Sequence, residues 1–469
     1  MPIKVYNDLT QRKEELIPLK ARKLGMYLCG PTVYGPAHVG NLRTFVSFDT
    51  IRRHLRYRGY NVTFVQNITD IEDKMIKGAA ERGVTVEELA EQFVRLFFED
   101  TKDLGIEPAD FYPRATEHIP EIIDLIKTLE ARGLAYNIDG DVYFEVPKFE
   151  AYGQLVHQNL EELQAGARVD VDERKRHPID FALWKKQKPG EPAWDSPWGR
   201  GRPGWHIECS AMAMKYLGET VDIHGGGIDL VFPHHENEIA QSTGATGQPF
   251  ARYWMHGAFL NFEGEKMSKS LGNIFTLGEL KKKFRPEVLR FFFLSSHYRS
   301  PLNYSEDLLR SAEAGLERIY NTIRNVKHLE EVSDSVEPAP AETAFLEGLE
   351  GHRRRFLEAM DDDFNSAEAI GVLFEIARDV NAQIARGASR ALTRRVLEIY
   401  RELGGQVLGL FWRAWDEDEL DAEIADLVEK RQAARKAKNW AEADRIRDEL
   451  NSRGIVLEDT PQGVRWKRK

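Results

Sequence analysis

Between residues 24 and 67 the chain alternates in a way that few folds accommodate. Leu24-Gly25-Met26-Tyr27-Leu28-Cys29-Gly30-Pro31 reads as a short buried strand ending in a turn. A helical pattern follows over 42–58, with apolar positions at Leu42, Phe45, Phe48, Ile51 and Leu55. A second strand is expected over 61–67. Strand, helix and strand in this order form a βαβ unit, which sets both strands parallel in one sheet with the helix on its face. The fold class is therefore α/β.

The turn between strand and helix is rich in small residues and carries polar side chains at the helix start: Gly35, Pro36, Ala37, His38, Val39, Gly40 and Asn41. Such a turn presents unpaired backbone N–H groups and the positive end of the helix dipole to an anion. Gly40 lets the backbone approach a ligand closely, while His38 and Asn41 offer hydrogen bonds to phosphate oxygens. A histidine at a helix start also serves as a plain cap, so the segment needs a partner to be read as a site. That partner is Glu265-Lys266-Met267-Ser268-Lys269-Ser270, followed by Leu271-Gly272-Asn273. Lys266 and Lys269 stand in a short polar loop that can close on an anion with two ammonium groups and a hydroxyl. KMSKS would arise by chance in such a chain roughly once in several thousand trials. A merely solvated basic loop is the weaker reading.

These residues resemble the two signatures of the class I aminoacyl-tRNA synthetases: PAHVGN stands for HIGH, and KMSKS is the second. Val39 and Asn41 depart from the literal letters of HIGH in a way that family tolerates. Within the class, the chain resembles the cysteinyl-tRNA synthetases along essentially its whole length. The resemblance implies a Rossmann-like parallel-sheet catalytic domain in two halves, 1–125 and 205–265, with a connective insertion at 126–204. It further implies a KMSKS loop and stem-contact region at 266–325, a helical bundle at 326–415 and a small C-terminal anticodon-binding domain at 416–469. The implied reaction is ATP-dependent activation of L-cysteine to cysteinyl-AMP, then transfer to the 3′ end of tRNA(Cys), first at the 2′-hydroxyl. A carboxylate is already a nucleophile, so placement and charge neutralisation carry the chemistry. His38, Asn41, Lys266 and Lys269 are the expected catalytic residues, with Mg²⁺ accompanying ATP.

The chain holds two cysteines, too few for a disulfide framework. Cys29 ends the first strand, and Cys209 sits in Pro203-Gly204-Trp205-His206-Ile207-Glu208-Cys209-Ser210. Alone, each reads as a small buried core residue. A third segment, Pro233-His234-His235-Glu236-Asn237-Glu238, competes with that reading. If Pro233 starts a helix, His234 and Glu238 share one face of it. Two thiolates, an imidazole and a carboxylate make a tetrahedral Zn²⁺ set. A zinc-protease reading fails, because Ile239 stands where a second histidine is needed. In cysteinyl-tRNA synthetases this tetrad binds zinc in the amino-acid pocket, and Cys29, Cys209, His234 and Glu238 each match with their neighbouring motif. Steric fit would separate cysteine from serine or alanine by only ~1–3 kcal/mol. Zinc prefers a thiolate to an alcohol and lowers the thiol pKa, so selection becomes chemical. Trp205 is expected to wall the small pocket, and Thr69 to help hold the amino acid.

His224-Gly225-Gly226-Gly227 offers backbone access to a nucleoside, with Asp229 placed for a ribose hydroxyl. Gly40, Gly226, Asp229, His256 and Lys269 are the expected ATP contacts. An HGGG run also occurs in esterases, but no serine here stands in a Gly-x-Ser-x-Gly elbow. No Gly-Lys-Ser/Thr phosphate loop exists either.

Elsewhere, helices are expected over 85–104 and 118–132, and a hairpin over 135–146 turning at Asp139-Gly140. Beyond residue 276 helical periodicity recurs at 284–294, 305–329, 342–360, 366–385 and 390–408, with a Pro- and acid-containing connector at 332–342, which suggests a bundle. The triplet Asp361-Asp362-Asp363 before Ser366 reads as helix capping rather than a metal site. Lys430, Arg431, Arg435, Lys436, Lys438, Arg445 and Arg447 surround Trp440 near the C-terminus, a composition that meets phosphates and stacks on bases. The family resemblance implies that Arg435, Trp440, Asp444 and Asp459 contact tRNA. A net charge of −11 argues against a surface that coats nucleic acid overall but permits such a local patch. Residues 1–19 are polar and charged, and no run approaches a membrane span, so a cytoplasmic location is expected; the acidic, self-contained domains make a monomer the simplest expectation. The alternative is a cysteine ligase acting on an amino sugar with the same adenylation chemistry; it should lack the basic, Trp-containing tail.

Overall fold

The βαβ unit forms where the alternation places it and becomes the centre of a larger sheet. The computed structural model describes residues 2–159, 162, 174–262, 265–266, 275–416, 418–437, 439–452, 455–460 and 463–468. They fall into two units: Met1–Leu316 with His352–Phe374 and Gln406–Leu410, and Glu317–Gly351 with Glu375–Gly405 and Phe411–Lys469.

In the first unit, β1 (Lys4–Asn7) and β2 (Arg12–Glu15) make an antiparallel hairpin. β3 (Lys23–Leu28), α1 (Val39–Tyr57) and β4 (Asn61–Gln66) are the βαβ unit, with Met26 opposite Phe64. Helices α2 (Asp73–Arg82), α3 (Val86–Asp103) and α4 (Ile119–Ala131) follow. α3 starts at a Thr85–Glu88 capping box. β5 (Ala135–Ile138) and β6 (Asp141–Phe144) form the expected hairpin, with Asp139 and Gly140 at φ 52° and 99°. β7 (Phe181–Lys186) and β8 (Gly201–Pro203) extend it into a four-stranded antiparallel sheet.

The chain then returns through α5 (Trp205–Leu217), β9 (Val221–Gly227), α6 (Glu236–Thr246) and β10 (Ala251–Gly257). The central sheet has the order β10-β9-β3-β4, with every pairing parallel. Because β3 has β4 on one side and β9 on the other, its carboxyl end is the switch point where open α/β sheets hold ligands. Met212 and Ala213 of α5 pack with Tyr27, Val65 and Trp254 of the sheet in one buried cluster. Each such large apolar side chain contributes ~1.5–3 kcal/mol on burial.

β11 (Leu260–Phe262) pairs antiparallel with β12 (Glu265–Lys266) and parallel with β13 (Leu302–Tyr304), while α7 (Leu277–Leu280) and α8 (Pro286–Leu294) lie between β12 and β13 in the chain. The helical remainder comprises α9 (Glu306–Val332), α10 (Pro340–Asp361), α11 (Ser366–Ile384) and α12 (Arg390–Ile399), the last continuing as π turns over Tyr400–Val407. α13 (Arg413–Asp416), α14 (Asp418–Lys436) and α15 (Trp440–Ser452) precede the hairpin of β14 (Ile455–Thr460) and β15 (Gly463–Arg468). Among the described residues no helix is long and apolar enough to cross a membrane.

The capping role expected for the acidic triplet is not what forms. Asp361 pairs with His54 at 2.9 Å and Arg58 at 3.2 Å. Asp363 accepts from the Tyr6 N–H at 2.9 Å, the Tyr298 hydroxyl at 2.8 Å and Arg299 Nε at 2.8 Å. Asn365 does the capping instead, accepting from the Glu368 N–H at 3.2 Å. Cationic and hydroxyl partners from distant segments, invisible in the local sequence, outcompete the helix start.

Candidate active site

A cavity of about 260 Å³ opens where the topology predicts, lined among others by Cys29, His38, Gly40, Asn41, Trp205 and Asp229. His38 is the N-cap of α1: its Nδ1 accepts from the Asn41 N–H at 3.3 Å. Capping and ligand binding are therefore compatible, because a neutral ring whose Nδ1 accepts carries its proton on Nε2. The chain returning from the lysine loop joins this turn directly. The Val39 N–H donates to the Phe275 carbonyl at 3.0 Å, and His38 bridges Thr276. Lys266 closes β12, with its backbone paired to Asn261. Lys269 lies outside the described residues. The far end of the loop is thus tied to the first signature, while its near end is anchored in the β11–β12 pair.

The glycine run serves packing as much as access. A Cβ on Gly225 would strike the Phe48 ring, and one on Gly226 would sit 2.8 Å from His235 Cε1. Gly227 and Asp229 line the cavity; Gly226 is buried and does not. Thr69 is also buried behind the wall, its hydroxyl receiving the Asn67 amide at 3.2 Å and its N–H donating to Pro31 O at 3.1 Å. His256 sits on β10 with Nδ1 2.6 Å from Asp8 Oδ2 and Nε2 2.7 Å from His235 Nδ1.

Around Cys29, which lines the cavity, the fold brings together Cys209, His234 and Glu238, all four buried. Cys29 arrives at the end of β3 and Cys209 on α5. Pro233 does not start the helix: Val231–His235 forms a π turn, and α6 begins at Glu236. His234 Nε2 nonetheless reaches Glu238 Oε1 at 3.0 Å. The two sulfurs are 3.8 Å apart, and Cys29 Sγ lies 3.5 Å from Glu238 Oε1. Two sulfurs each ~2.3 Å from a tetrahedral ion would stand about 3.8 Å apart. Glu238 Oε2 is buried, with no well-directed hydrogen bond and only the His224 Nε2 at 3.4 Å beside it. The donor chemistry and spacing both fit a divalent metal of borderline softness.

Electrostatics favour the same conclusion. Burial and the neighbouring Cys209 and Glu238 raise the Cys29 thiol, whereas the hydrogen bond from Cys29 lowers the Cys209 thiol. Burial opposes a charge on Glu238, but His224 and His234 overcome it and hold the carboxyl at about 2. His234 is raised to about 10, against burial, by Glu238 and Cys209. The pocket holds negative charge that it neutralises with borrowed protons.

Three histidines in this cluster carry no role in the sequence reading. His224 and His235, with Cys29 and Glu238, form a second group of metal-ligand geometry. His224 stacks on Tyr27 and packs against Phe250 and Trp254, away from the cavity lining. His206 places Nδ1 2.9 Å from His234 Nδ1, and burial with the neighbouring His234 keeps it neutral. It accepts the Nδ1 proton of His234 and so points Nε2 at Glu238 and the sulfurs. The available signal was a polar ring three residues before Cys209, on the segment that carries that ligand. Trp205 itself stacks on His234 at 4.3 Å and lines the cavity.

In the second unit, Arg435 lies in the last turn of α14, while Trp440 opens α15 and is 59% exposed. Asp444 pairs with Arg447 at 2.9 Å. Asp459 lies in β14, opposite Val464.

Comparison with known proteins covers the whole chain. Residues 15–314 match the class I (C) tRNA synthetase catalytic domain, 355–412 the DALR domain and 417–466 the cysteinyl-tRNA ligase anticodon binding domain. A cysteine–tRNA ligase of Symbiobacterium thermophilum is 58% identical over 471 residues, spanning 100% of both chains. Among solved structures, the methionyl-tRNA synthetase of Mycobacterium tuberculosis in complex with methionyl-adenylate is 18% identical, with a TM-score of 0.59 over 82% of this chain and 92% of that one. The LeuRS of Agrobacterium radiobacter K84, in a ternary complex with tRNA and LeuAMS, is 12% identical, with a TM-score of 0.61 over 84% and 85%. At such identities the two structures bear on the fold alone.

Proposed function

The chain belongs to the class I cysteinyl-tRNA synthetases, and from that premise we propose how its residues divide the work. The reaction is ATP-dependent ligation of L-cysteine to tRNA. A carboxylate oxygen of cysteine attacks the α-phosphorus of ATP, and the bond to the pyrophosphate oxygen breaks. A ribose hydroxyl of the tRNA terminus then attacks the carbonyl carbon, its proton is lost, and AMP leaves. The anticodon-domain match over 417–466 favours tRNA over an amino sugar as acceptor.

His38 donates from Nε2, and Asn41 from its amide, to phosphate oxygens above the N-terminus of α1. Lys266 and Lys269 neutralise the charge that builds on the triphosphate, with Mg²⁺ on the pyrophosphate side. Asp229 accepts from a ribose hydroxyl, and Gly40 lets the phosphates close on the turn. Gly226 and His256 shape that wall from behind, as Thr69 does near the amino acid. Cys29, Cys209, His234 and Glu238 would hold Zn²⁺. This tetrad is favoured over the His224 group because Trp205 joins His234 to the open cavity. When bound, the ion supplies a soft Lewis acid that prefers the thiolate of cysteine to the hydroxyl of serine. Trp205 excludes bulk above it. In the second unit, Arg435, Trp440, Asp444 and Asp459 would meet the tRNA.

The domain boundaries expected from the sequence, 1–125 with 205–265, 126–204, 266–325, 326–415 and 416–469, are carried forward as the proposed division, in a monomer. The observation that carries this reading is the buried tetrad at the switch point, beside the first signature. The test is cysteine-dependent ATP–pyrophosphate exchange together with metal analysis. Exchange should vanish on chelation, return with zinc and fail with serine. Stoichiometric zinc should be lost in His234→Ala and kept in His224→Ala. Equal exchange with serine would refute the pocket.

A further inference from the structure

Arg43 lies on α1 just beyond Asn41 and is 1% exposed. Among the described residues it has no acidic partner, an expensive place for a guanidinium. Burial alone lowers its pKa, to about 10. Its hydrogen bonds go to backbone carbonyls from two separate segments. Nη1 donates to Ala258 O at 2.9 Å and Phe259 O at 2.8 Å, while Nη2 donates to His297 O at 3.1 Å and Ser300 O at 2.6 Å.

Those carbonyls stand at the roots of two neighbouring strands. Ala258 and Phe259 lead into β11, whose partner β12 ends at Lys266. His297 and Ser300 lead into β13, which flanks β11 on its other side. The two roots also join directly, through Ala258 N–H to Tyr298 O at 2.8 Å and Leu302 N–H to Phe259 O at 3.1 Å. Only a planar fork presents its donors in two directed pairs, so an ammonium cannot replace it.

We propose that Arg43 is a positioning residue for adenylation, clamping the strand roots that carry the KMSKS loop to the helix that carries HVGN. By fixing β11 and β13 against α1, it sets where Lys266, at the end of the β12 strand paired to β11, stands relative to His38 and Asn41. This rests on the reading of the two signatures as the ATP site. The cysteine end of the cavity is built by other elements, so the clamp should act on one substrate only.

Arg43→Lys keeps the charge and most of the stem but cannot serve both pairs of carbonyls. Per active site, its kcat for cysteine-dependent ATP–pyrophosphate exchange should fall on the order of 10²-fold, the cost of a displacement near 1 Å. KM for ATP should rise while KM for cysteine stays within about twofold, since that binding is untouched. Transfer to tRNA from supplied cysteinyl-adenylate should persist. Unchanged kcat and KM for ATP would overturn the proposal, as would equal losses in exchange, cysteine KM and transfer, the pattern of a general folding defect. Arg43→Gln, which keeps one polar contact, is the second variant should the lysine form not fold. Absent exchange in the unsubstituted enzyme would count against the function itself, not against the clamp.

Discussion

At the His38 end of the cavity the chain offers backbone N–H groups and half-buried side chains, whereas at the Cys29 end it offers side chains exposed by 5% or less. On the proposed reading the first end would take a ligand that arrives with its own charge and needs donors pointed at it. The second is a buried group that could hold a metal, so its polar atoms are taken out of water and satisfied by one another. His38 is served by its own helix, through the Asn41 N–H. Glu238 depends on rings from β9 and from the π turn before its own helix. A site for triphosphate can therefore be encoded in a few consecutive residues, while a site for a thiol has to be assembled by the fold.

If this contrast is right, damage at the two ends should separate cleanly. The largest effect is expected for Cys209→Ser. Bound zinc and cysteine-dependent exchange should both be lost, well beyond the ~10–100-fold cost of removing an outer partner of a metal ligand. Retention of full zinc by this variant would break the comparison. Lys269→Ala should lower the adenylation rate on the order of 10²–10³-fold, as removal of a preorganised charge does. Its zinc content and cysteine binding, followed by equilibrium dialysis, should be unchanged; near-normal exchange would remove the lysine from its role. His206→Ala should weaken zinc by ~10–100-fold in a chelator competition, with ATP binding intact, and an unaltered competition curve would leave His206 as mere packing. The smallest change belongs to Trp440→Ala, which touches neither end. KM for tRNA should rise by roughly tenfold, within the ~1–3 kcal/mol of one stacked base. A change in exchange instead would show that this tryptophan does not act on tRNA.

What the local pattern revealed follows the same division. The strand at Lys23–Leu28, the helix at Val39–Tyr57 and the hairpin around Asp139-Gly140 obey short-range rules of periodicity and turn chemistry. Less visible were α5, and the strand pair β7 and β8, which lies in a stretch rich in charge, proline and tryptophan. Trp184 and Phe181 of β7 and Ile207 of α5 are buried in a cluster with Ile126 and Phe144, residues well removed along the chain. The acidic triplet was misread because its partners, His54, Tyr298 and Arg299, are supplied by other segments. The glycine run was read for access, and the rings of Phe48 and His235 supply the missing reason for two of its members.

The sequence by itself determined a parallel α/β sheet, the two class signatures, and a tetrad of metal-ligand type drawn from its two cysteines with His234 and Glu238. Side-chain period, turn chemistry and helix-end charge act over a few residues, so they are legible in the string. Only the tertiary structure decided that His206 orients His234, that a second ring pair from His224 and His235 backs Cys29, and that Arg43 ties both strand roots to α1. Those relations depend on burial, where a polar group must find its partner in space because water is no longer there to serve it.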